Sequence, residues 1–342
     1  MWLKYAKRTA LTITAILVLV SITIALLWRD RPSLDAIDWP TPAYASAADT
    51  QAVTVTWLGV TTLLFDDGET QILIDGFFSR PSLADIVLGR PVNNDAAQID
   101  YVMNEFRMRR LAAIIPLHSH FDHAMDVGAV ANRSSASVLG SESTAQIARG
   151  AGVPEDQITV VEAAASFEFG NFHVTLLPVG HAPIGWGGSV PFDGVIFEPL
   201  TMPQIIPAWR MGGAYTVIIE HPQGTALIQG SSAYKKYELK DIAADVVFLG
   251  VAQLDSLGRE YADLYWQHTV TATGSHSVYP IHFDDFTQEF GVIKLPPKFI
   301  DNFEKTAQWL DEFRSHWDTD VALYIPEFGK PIAIFSQPAP GS

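Results

Sequence analysis

The densest concentration of chemically active side chains lies at residues 118–123, which read His-Ser-His-Phe-Asp-His. His118 and His120 are separated by one residue, so at the end of an extended strand both imidazoles project to the same side and can hold one ion. Asp122 and His123 follow where the chain must turn, and they can face a second ion. Leaving four such side chains unpartnered would be costly, which makes a solvated polar loop the weaker interpretation.

Two isolated histidines follow apolar strands. His181 closes the run at 176–180, and His282 closes the run at 278–281. A single histidine is usually an ordinary core or surface residue, but residues at strand ends can converge on one site, so both are candidate metal ligands. Three histidines with other placements read as structural, namely His173, His221 and His316. Two lie near His282 in sequence without a strand-end position, namely His268 and His276.

Composition narrows the chemistry. The chain has 342 residues and no Cys, so a metal must be held by His and carboxylate side chains. Zinc is the first expectation for such a mixed site, with Mn²⁺ or Fe²⁺ as alternatives. Lys and Arg total 22 against 38 Asp and Glu, a net charge of −16 that disfavours a nucleic-acid partner.

The residues resemble the metallo-β-lactamase-fold hydrolases, in particular the branch that includes cyclic-phosphate, lactone and phospholipid-processing enzymes. The resemblance covers Val53 to Phe286 and is carried by Trp57-Leu58-Gly59 with Thr61, Thr62 and Leu64, by the run at 72–76, by the cluster at 118–123, by Gly180-His181 and by Pro280-Ile281-His282. It implies an α+β fold, a four-layer αββα sandwich, with metals at one edge of its two sheets.

The resemblance also implies the roles of the candidate residues. The first metal would be bound by His118, His120 and His181. The second would be bound by Asp122, His123 and His282. Asp75 would be a buried acid that supports the ligands.

One position departs from the family pattern. A bridging aspartate usually follows a strand ending in Gly, and here the strand 225–229 leads through Gly230 to Ser231. A neutral hydroxyl is a poor bridge. Either the second metal binds weakly, or a hydroxide alone bridges the pair, or another carboxylate supplies the charge, so one or two divalent ions are expected.

Hydrolysis by a metal-bound hydroxide is the expected chemistry, since a divalent ion lowers the pKa of its bound water from about 16 towards 7. Asp122 would orient this nucleophile and relay a proton. His282 would be a second-site ligand or a contact to the substrate anion. A phosphodiester, phospholipid-like in view of the N-terminal segment described below, is the first expectation for the substrate. A lactone or another ester is the alternative, as is a non-catalytic metal-binding membrane protein.

The loop at 183–213 is rich in Gly, Pro and aromatic residues and directly follows His181. Long irregular loops in compact domains tend to be functional, so Trp186 and Trp209 are expected to line a substrate pocket, unless they only pack the loop onto the domain. Arg80 is expected to meet a substrate anion, or else to form an ordinary surface salt bridge.

The N-terminus predicts a membrane anchor at residues 1–28. Lys4, Lys7 and Arg8 precede an apolar and hydroxyl run from Thr9 to Trp28, about the length that spans a bilayer. The positive-inside rule places the N-terminus in the cytoplasm and the catalytic domain outside it, in a single-pass protein of the cell membrane. A cleaved signal peptide, with a small-residue site at 43–45, is the alternative. Residues 29–51 have linker composition, and the hydrolase domain would occupy 52–342.

Patterns of apolar residues predict the elements that position the cluster. A meander of strands opens the domain at 53–58, 61–65 and 71–74, with a turn at 66–68. A helix at 95–110 leads into a buried strand at 111–116, which delivers the histidine cluster at its end. Later strands are expected at 158–161, 172–177, 215–220, 225–229, 246–250, 278–282 and 322–325, and later helices at 140–151 and 301–316.

Overall fold

The structure, a computed structural model, describes residues 2–46, 52–318 and 320–336. The α-helices within these residues are α1 (Trp2–Arg29), α2 (Leu83–Val87), α3 (Ala96–Glu105), α4 (Phe121–Ala124), α5 (Val127–Ser134), α6 (Glu142–Gly150), α7 (Leu254–Leu257), α8 (Arg259–Trp266) and α9 (Phe303–Trp317). The strands are β1 (Thr54–Trp57), β2 (Leu63–Asp66), β3 (Gln71–Ile74), β4 (Leu111–Ile115), β5 (Ser137–Gly140), β6 (Ile158–Val160), β7 (Ala165–Phe169), β8 (Phe172–Val179), β9 (Ala214–His221), β10 (Gly224–Gln229), β11 (Val246–Gly250), β12 (Ser277–Ile281), β13 (Ala322–Leu323) and β14 (Pro331–Ala333).

The strands form two mixed seven-stranded sheets, ordered β14-β1-β2-β3-β4-β5-β6 and β13-β12-β11-β10-β9-β8-β7. Apolar side chains from the facing sides of the two sheets share one core, where the rings of Phe65 and Phe248 lie 5.9 Å apart. Helices α8 and α9 pack on the outer face of the second sheet, and α3, α5 and α6 bury a second core against the first. The molecule is therefore an α+β protein with the expected layering.

Most predicted elements are confirmed, and the differences have local causes. The opening meander and the strand before the histidine cluster are present. Helix α3 begins one residue after Asp95, whose carboxylate accepts a hydrogen bond from Gln98 N at 2.9 Å, and ends before Arg107. Arg107 has a φ of 49°, which a continuing helix cannot adopt, so the prediction of a helix to residue 110 was too long.

Helix α1 is long and apolar enough over Lys7–Arg29 to cross a membrane, and its side chains that the structure describes are almost all exposed to solvent. A signal sequence near the N-terminus would have the same properties. Membrane crossing by α1, and the side of the membrane on which the domain would lie, therefore stay predictions.

The segment predicted as a linker lies against the domain over its described part. Trp39 Nε1 donates to Asp311 on α9 at 2.9 Å, and Tyr44 forms an isolated β-bridge with Ile332 of β14. Residues 47–51 and 337–342, which complete the predicted linker and domain, lie outside the described residues. Residues 31–46 are thus held along the domain rather than extended away from it.

Candidate functional site

The topology brings the ends of several strands to one edge of the two sheets. Strands β10, β11 and β12 are parallel to one another, and β8 has the same direction because both β8 and β10 are antiparallel to β9. In the other sheet β3 and β4 are parallel. The carboxyl ends of these strands therefore lie at a shared edge, which we call the cleft edge, and the predicted ligands follow them.

Three histidines converge at the first position. The ligand nitrogens of His118, His120 and His181 all lie within 4.8 Å of one another. His118 Nε2 is 2.9 Å from His120 Nδ1, and the ring of His181 lies 4.8 Å from that of His118. We call this group the histidine triad.

A second group lies beside it and contains the carboxylate. The ligand atoms of Asp122, His123 and His282 also lie within 4.8 Å of one another. Asp122 Oδ2 is 3.4 Å from His282 Nε2 and 3.7 Å from His123 Nε2. We call this group the aspartate triad. The rings of His118 and His123 are 3.8 Å apart, so the two triads share one site.

The site opens into a cleft with a volume of about 220 Å³. All six triad residues line it. Most of the remaining wall is apolar, and its large side chains are Phe121, Ile184, Pro191, Phe192 and Phe286. The polar residues Ser231 and Gln253 also line the cleft. The described lining contains no Lys or Arg.

The environment keeps the histidine triad in the form that binds metal. Burial lowers the pKa of His118 well below its usual value, and the neighbouring histidines lower it further. Burial and the proximity of His120 lower the pKa of His181 to about 4. These imidazoles are therefore neutral at pH 7 and carry free lone pairs. His118 Nδ1 is buried without a hydrogen-bond partner among the described residues, as expected of a ring whose partner is an ion.

In the aspartate triad, by contrast, the pKa shifts favour the charged forms of Asp122 and His123. Burial alone would raise the pKa of Asp122, but His123 and His282 outweigh it, so the carboxyl pKa lies far below its usual range. The net pKa of His123 is raised, because the charges of Asp75 and Asp122 outweigh burial. Asp122 is thus an ionised carboxylate, the form that a divalent cation binds.

Asp75 holds His123 in place from behind the site. One Asp75 carboxylate oxygen lies 2.8 Å from His123 Nδ1 and also accepts a short hydrogen bond from Thr61 Oγ1. The other accepts a hydrogen bond from Leu117 N at 2.7 Å. Because His123 Nδ1 donates its hydrogen bond to Asp75, His123 Nε2 is left free to face Asp122. The expected buried supporting acid is therefore in position.

Comparison with known proteins finds a metal-dependent hydrolase among the similar sequences. No protein-family model matches the chain. A UPF0173 metal-dependent hydrolase of Pyrobaculum islandicum is 25% identical to it over 243 residues, which are 68% of this chain and 84% of that protein. The chain is thus similar, over about two thirds of its length, to a metal-dependent hydrolase.

Two solved structures are also similar to the chain over most of its length. The metallo-β-lactamase-fold protein YhfI of Bacillus subtilis is 14% identical, with a TM-score of 0.48 over 82% of this chain and 98% of its own. Igni18, a metallo hydrolase of Ignicoccus hospitalis, is 14% identical, with a TM-score of 0.45 over 82% of this chain and 97% of its own.

The three residues expected to contact substrate do not line the cleft. Trp209 is fully buried in the second core, where it packs the loop onto the domain. Trp186 is 99% exposed and is not among the residues that line the cleft. Both assignments were therefore wrong as pocket residues, and Phe192 is the aromatic residue of that loop that reaches the site, with its ring 6.0 Å from that of His120.

Arg80 is also not available to a substrate anion. Its side chain is buried, stacks 4.7 Å from the ring of Phe77 and lies 3.9 Å from the carboxylate of Asp284. Burial lowers its pKa, although the nearby carboxylates act in the opposite direction. The expectation of an anion contact was wrong, as was its surface salt-bridge alternative, because this guanidinium lies inside the domain.

Asp284 has a positioning role that sequence reasoning missed. Its carboxylate accepts a hydrogen bond from Val60 N at 2.8 Å, and Val60 O accepts one from His282 N at 2.9 Å. His282 has a φ of 63°, an unfavourable conformation for a residue with a side chain, so these bonds fix it. The spacing of Asp284 two residues after the candidate ligand was the available signal.

Ser231 lies where the sequence places it. It follows β10 at the cleft edge, is buried, and donates a hydrogen bond to Gly180 O at 3.4 Å. No carboxylate other than that of Asp122 is among the described cleft-lining residues. The site therefore combines five imidazoles with a single negative charge.

Proposed function

We propose that this chain hydrolyses phosphodiesters with the help of two divalent ions. The first would be held by the histidine triad and the second by the aspartate triad, and Zn²⁺ is the metal we propose, with Mn²⁺ and Fe²⁺ as alternatives. The observation that carries the proposal is the meeting of these two triads at one cleft. It rests on side chains that follow three separate strands, β4, β8 and β12.

In the proposed hydrolysis, Asp122 and Asp75 have different roles. A divalent ion bound at such a site supplies the activation of water and the polarisation of the bond under attack. Asp122, ionised and beside His282, would orient the attacking water and take up its proton. Asp75 keeps His123 oriented, and the burial of five of the six triad residues, all but His181, limits the entry of bulk water.

The charge balance favours an anionic substrate. Two divalent ions would bring four positive charges against the single carboxylate of Asp122, and a hydroxide would still leave the site positive. An aspartate at position 231 would remove one of these charges, and Ser231 does not. A phosphodiester, which carries one negative charge at neutral pH, suits such a site.

A lactone or another carboxylic ester is the second candidate. The apolar wall formed by Phe121, Ile184, Phe192 and Phe286 favours it, since the described lining offers no Lys or Arg to neutralise a phosphate. The two candidates make different demands on charge, so substrate preference can separate them.

Hydrolysis by the full chain, loaded with Zn²⁺ or Mn²⁺, tests the proposal. Bis(p-nitrophenyl) phosphate would be assayed beside a lactone and a p-nitrophenyl ester. His120→Ala should abolish activity, and His276→Ala, which changes an exposed histidine at the opposite end of β12, should retain it. Preference for the phosphodiester supports the proposal. Preference for the lactone or ester favours the second candidate, and inactivity on all three after metal loading contradicts both.

We also propose that α1 anchors the protein as a single-pass span, with the N-terminus in the cytoplasm and the catalytic domain on the other side of the cell membrane. The lysines and arginine before the apolar run support this orientation. Protease digestion of intact spheroplasts should remove the domain. Protection of the domain until the membrane is lysed would contradict the orientation.

A further inference from the structure

The carboxyl end of α1 docks beside the cleft. Arg31 Nη1 donates to Asp285 at 2.9 Å and to Leu295 O at 2.5 Å. Asp285 directly precedes Phe286, which lines the cleft, and lies three residues after His282. The Trp28 ring lies 6.0 Å from that of Phe299, and Lys298 N donates to Asp30 O at 2.8 Å. A bilayer crossed by α1 would therefore end close to the cleft edge.

The chain after α1 runs away from that edge. Ser33 N donates to Glu304 at the start of α9, and Trp39 bonds Asp311 two turns further along. Helix α9 leaves the cleft edge and leads to β13, which is parallel to β12 and so begins at the opposite edge. The order of these contacts puts the membrane end of the segment at the cleft and its other end along the side of the domain.

Several exposed apolar side chains lie in segments that follow the cleft ends of strands. The exposed large hydrophobic residues beyond α1 include a group in the loop that follows the cleft end of β8 and a group in the segment that follows the cleft end of β12, namely Trp186, Phe192, Val195 and Phe197, and Val292, Phe299 and Ile300. The most exposed are Trp186 at 99% and Phe197 at 80%, in the loop that also supplies Phe192 to the cleft. Exposed apolar groups gathered at one end mark a surface that meets an apolar partner, and Trp is favoured at bilayer interfaces.

We infer that the cleft edge lies against the phospholipid bilayer, with residues 184–197 entering its interface, and that the cleft takes its substrate from the membrane. The substrate class is an amphiphile whose polar head reaches the two triads while its apolar chain stays in the bilayer. This substrate class rests on the proposed hydrolase function, whereas the bilayer contact does not. The apolar cleft wall favours an amphiphilic substrate, and the position of the end of α1 beside the cleft favours the bilayer contact.

Site-specific fluorescence tests the bilayer contact directly. The chain has no Cys, so Trp186→Cys and Asn171→Cys each carry one nitrobenzoxadiazole label in the full protein, reconstituted into phosphatidylcholine vesicles. Asn171 is the matched control, because it is exposed and precedes β8, at the end opposite the cleft. The label at 186 should shift to the blue and be quenched by brominated phosphatidylcholine, and the label at 171 should do neither.

The other outcomes overturn the inference. Equal behaviour of the two labels shows that the cleft edge does not face the bilayer, and failure of the protein to enter vesicles removes the basis for the contact. A blue shift at 186 without quenching by brominated lipid shows that a second copy of the chain covers the loop instead.

Two nitrophenyl phosphodiesters, one soluble and one with a long alkyl chain embedded in the vesicles, test the source of the substrate. Trp186→Ser should lower hydrolysis of the embedded substrate several-fold and leave that of the soluble one unchanged, whereas Tyr101→Ser on α3 should change neither. Equal effects of Trp186→Ser on both substrates contradict entry from the membrane. Inactivity of the wild type on both contradicts the proposed function and leaves the label result to stand alone.

Discussion

At the scale of single residues, His123 depends on one buried carboxylate. Asp75→Asn would keep the acceptor for Leu117 N but remove the charge that holds the Nδ1 proton of His123. Metal affinity should fall about 10- to 100-fold, the usual effect of losing such a supporting acid. Competition with a chromophoric chelator measures it. Asp241→Asn, which changes an exposed acid, is the control, and equal affinities of the two variants would refute the role of Asp75.

Ser231 offers a test of the charge argument. Ser231→Asp adds a carboxylate to the cleft, so it should strengthen metal retention and weaken binding of an anionic substrate, raising KM for the phosphodiester about tenfold or more. The neutral lactone should be affected less. Ser231→Asn, which adds similar bulk without charge, separates the two effects. If the phosphodiester and the lactone respond equally to both variants, charge does not set substrate preference.

The triad residues could be predicted from sequence because their signal is local. Spacing alone places His118 and His120 on one side of a strand end, and strand-end positions identify His181 and His282. The residues that were wrongly assigned lacked such a signal. Whether Trp209 faces a cleft or a core, and whether Arg80 meets solvent, depends on which segments pack over them, and nothing adjacent in the sequence decides that.

At the scale of elements, the loop that carries Phe192 is fastened to α6. Leu200 N donates to Gln146 O at 2.9 Å, and a Cβ added at Gly150 would overlap the backbone of Leu200. Gly150→Ala should push the loop away, destabilise the fold by about 1–3 kcal/mol and raise KM more than it lowers kcat. Arg149→Ala, which removes only surface ion pairs from the neighbouring residue, is the control. Unchanged KM in Gly150→Ala would show that the loop does not shape the cleft.

Elements with strong internal patterns were predicted well, and those defined by distant partners were not. Strands β3 and β11 match their predicted bounds because their apolar runs are continuous. Strand β14 has three residues and exists through pairing with β1, which lies far away in sequence. The contacts of residues 31–46 were missed for the same reason, since linker composition gives no indication of the partners on α9.

At the scale of the whole molecule, one buried acid ties stability to pH. Burial raises the pKa of Asp301 to about 8, and the charge of Asp255 adds to this, against a hydrogen bond from Gln253 N. Between about pH 4 and pH 8 the folded protein keeps a proton that the unfolded chain has lost. This group therefore makes the free energy of unfolding decrease as pH rises, by at most about 1.4 kcal/mol per pH unit.

Asp301→Asn should remove that dependence, because the amide stays neutral at every pH. Urea unfolding of the full chain in detergent between pH 5 and 9 should show a shallower decline of stability with rising pH than in the wild type. Asp38→Asn, which changes an exposed acid, should leave the wild-type slope unchanged. A slope that is the same in Asp301→Asn as in the wild type would show that Asp301 is ionised in the folded protein.

The central claim is that two triads, built from separate strand ends, each hold a divalent ion. Metal analysis of the purified full chain and of two variants tests it most directly. The wild type should contain two equivalents, His120→Ala should lose the ion of the histidine triad, and His282→Ala should lose that of the aspartate triad, each retaining about one equivalent. A wild type that takes up no metal after exposure to Zn²⁺ or Mn²⁺, or variants that bind as much as the wild type, would contradict the account.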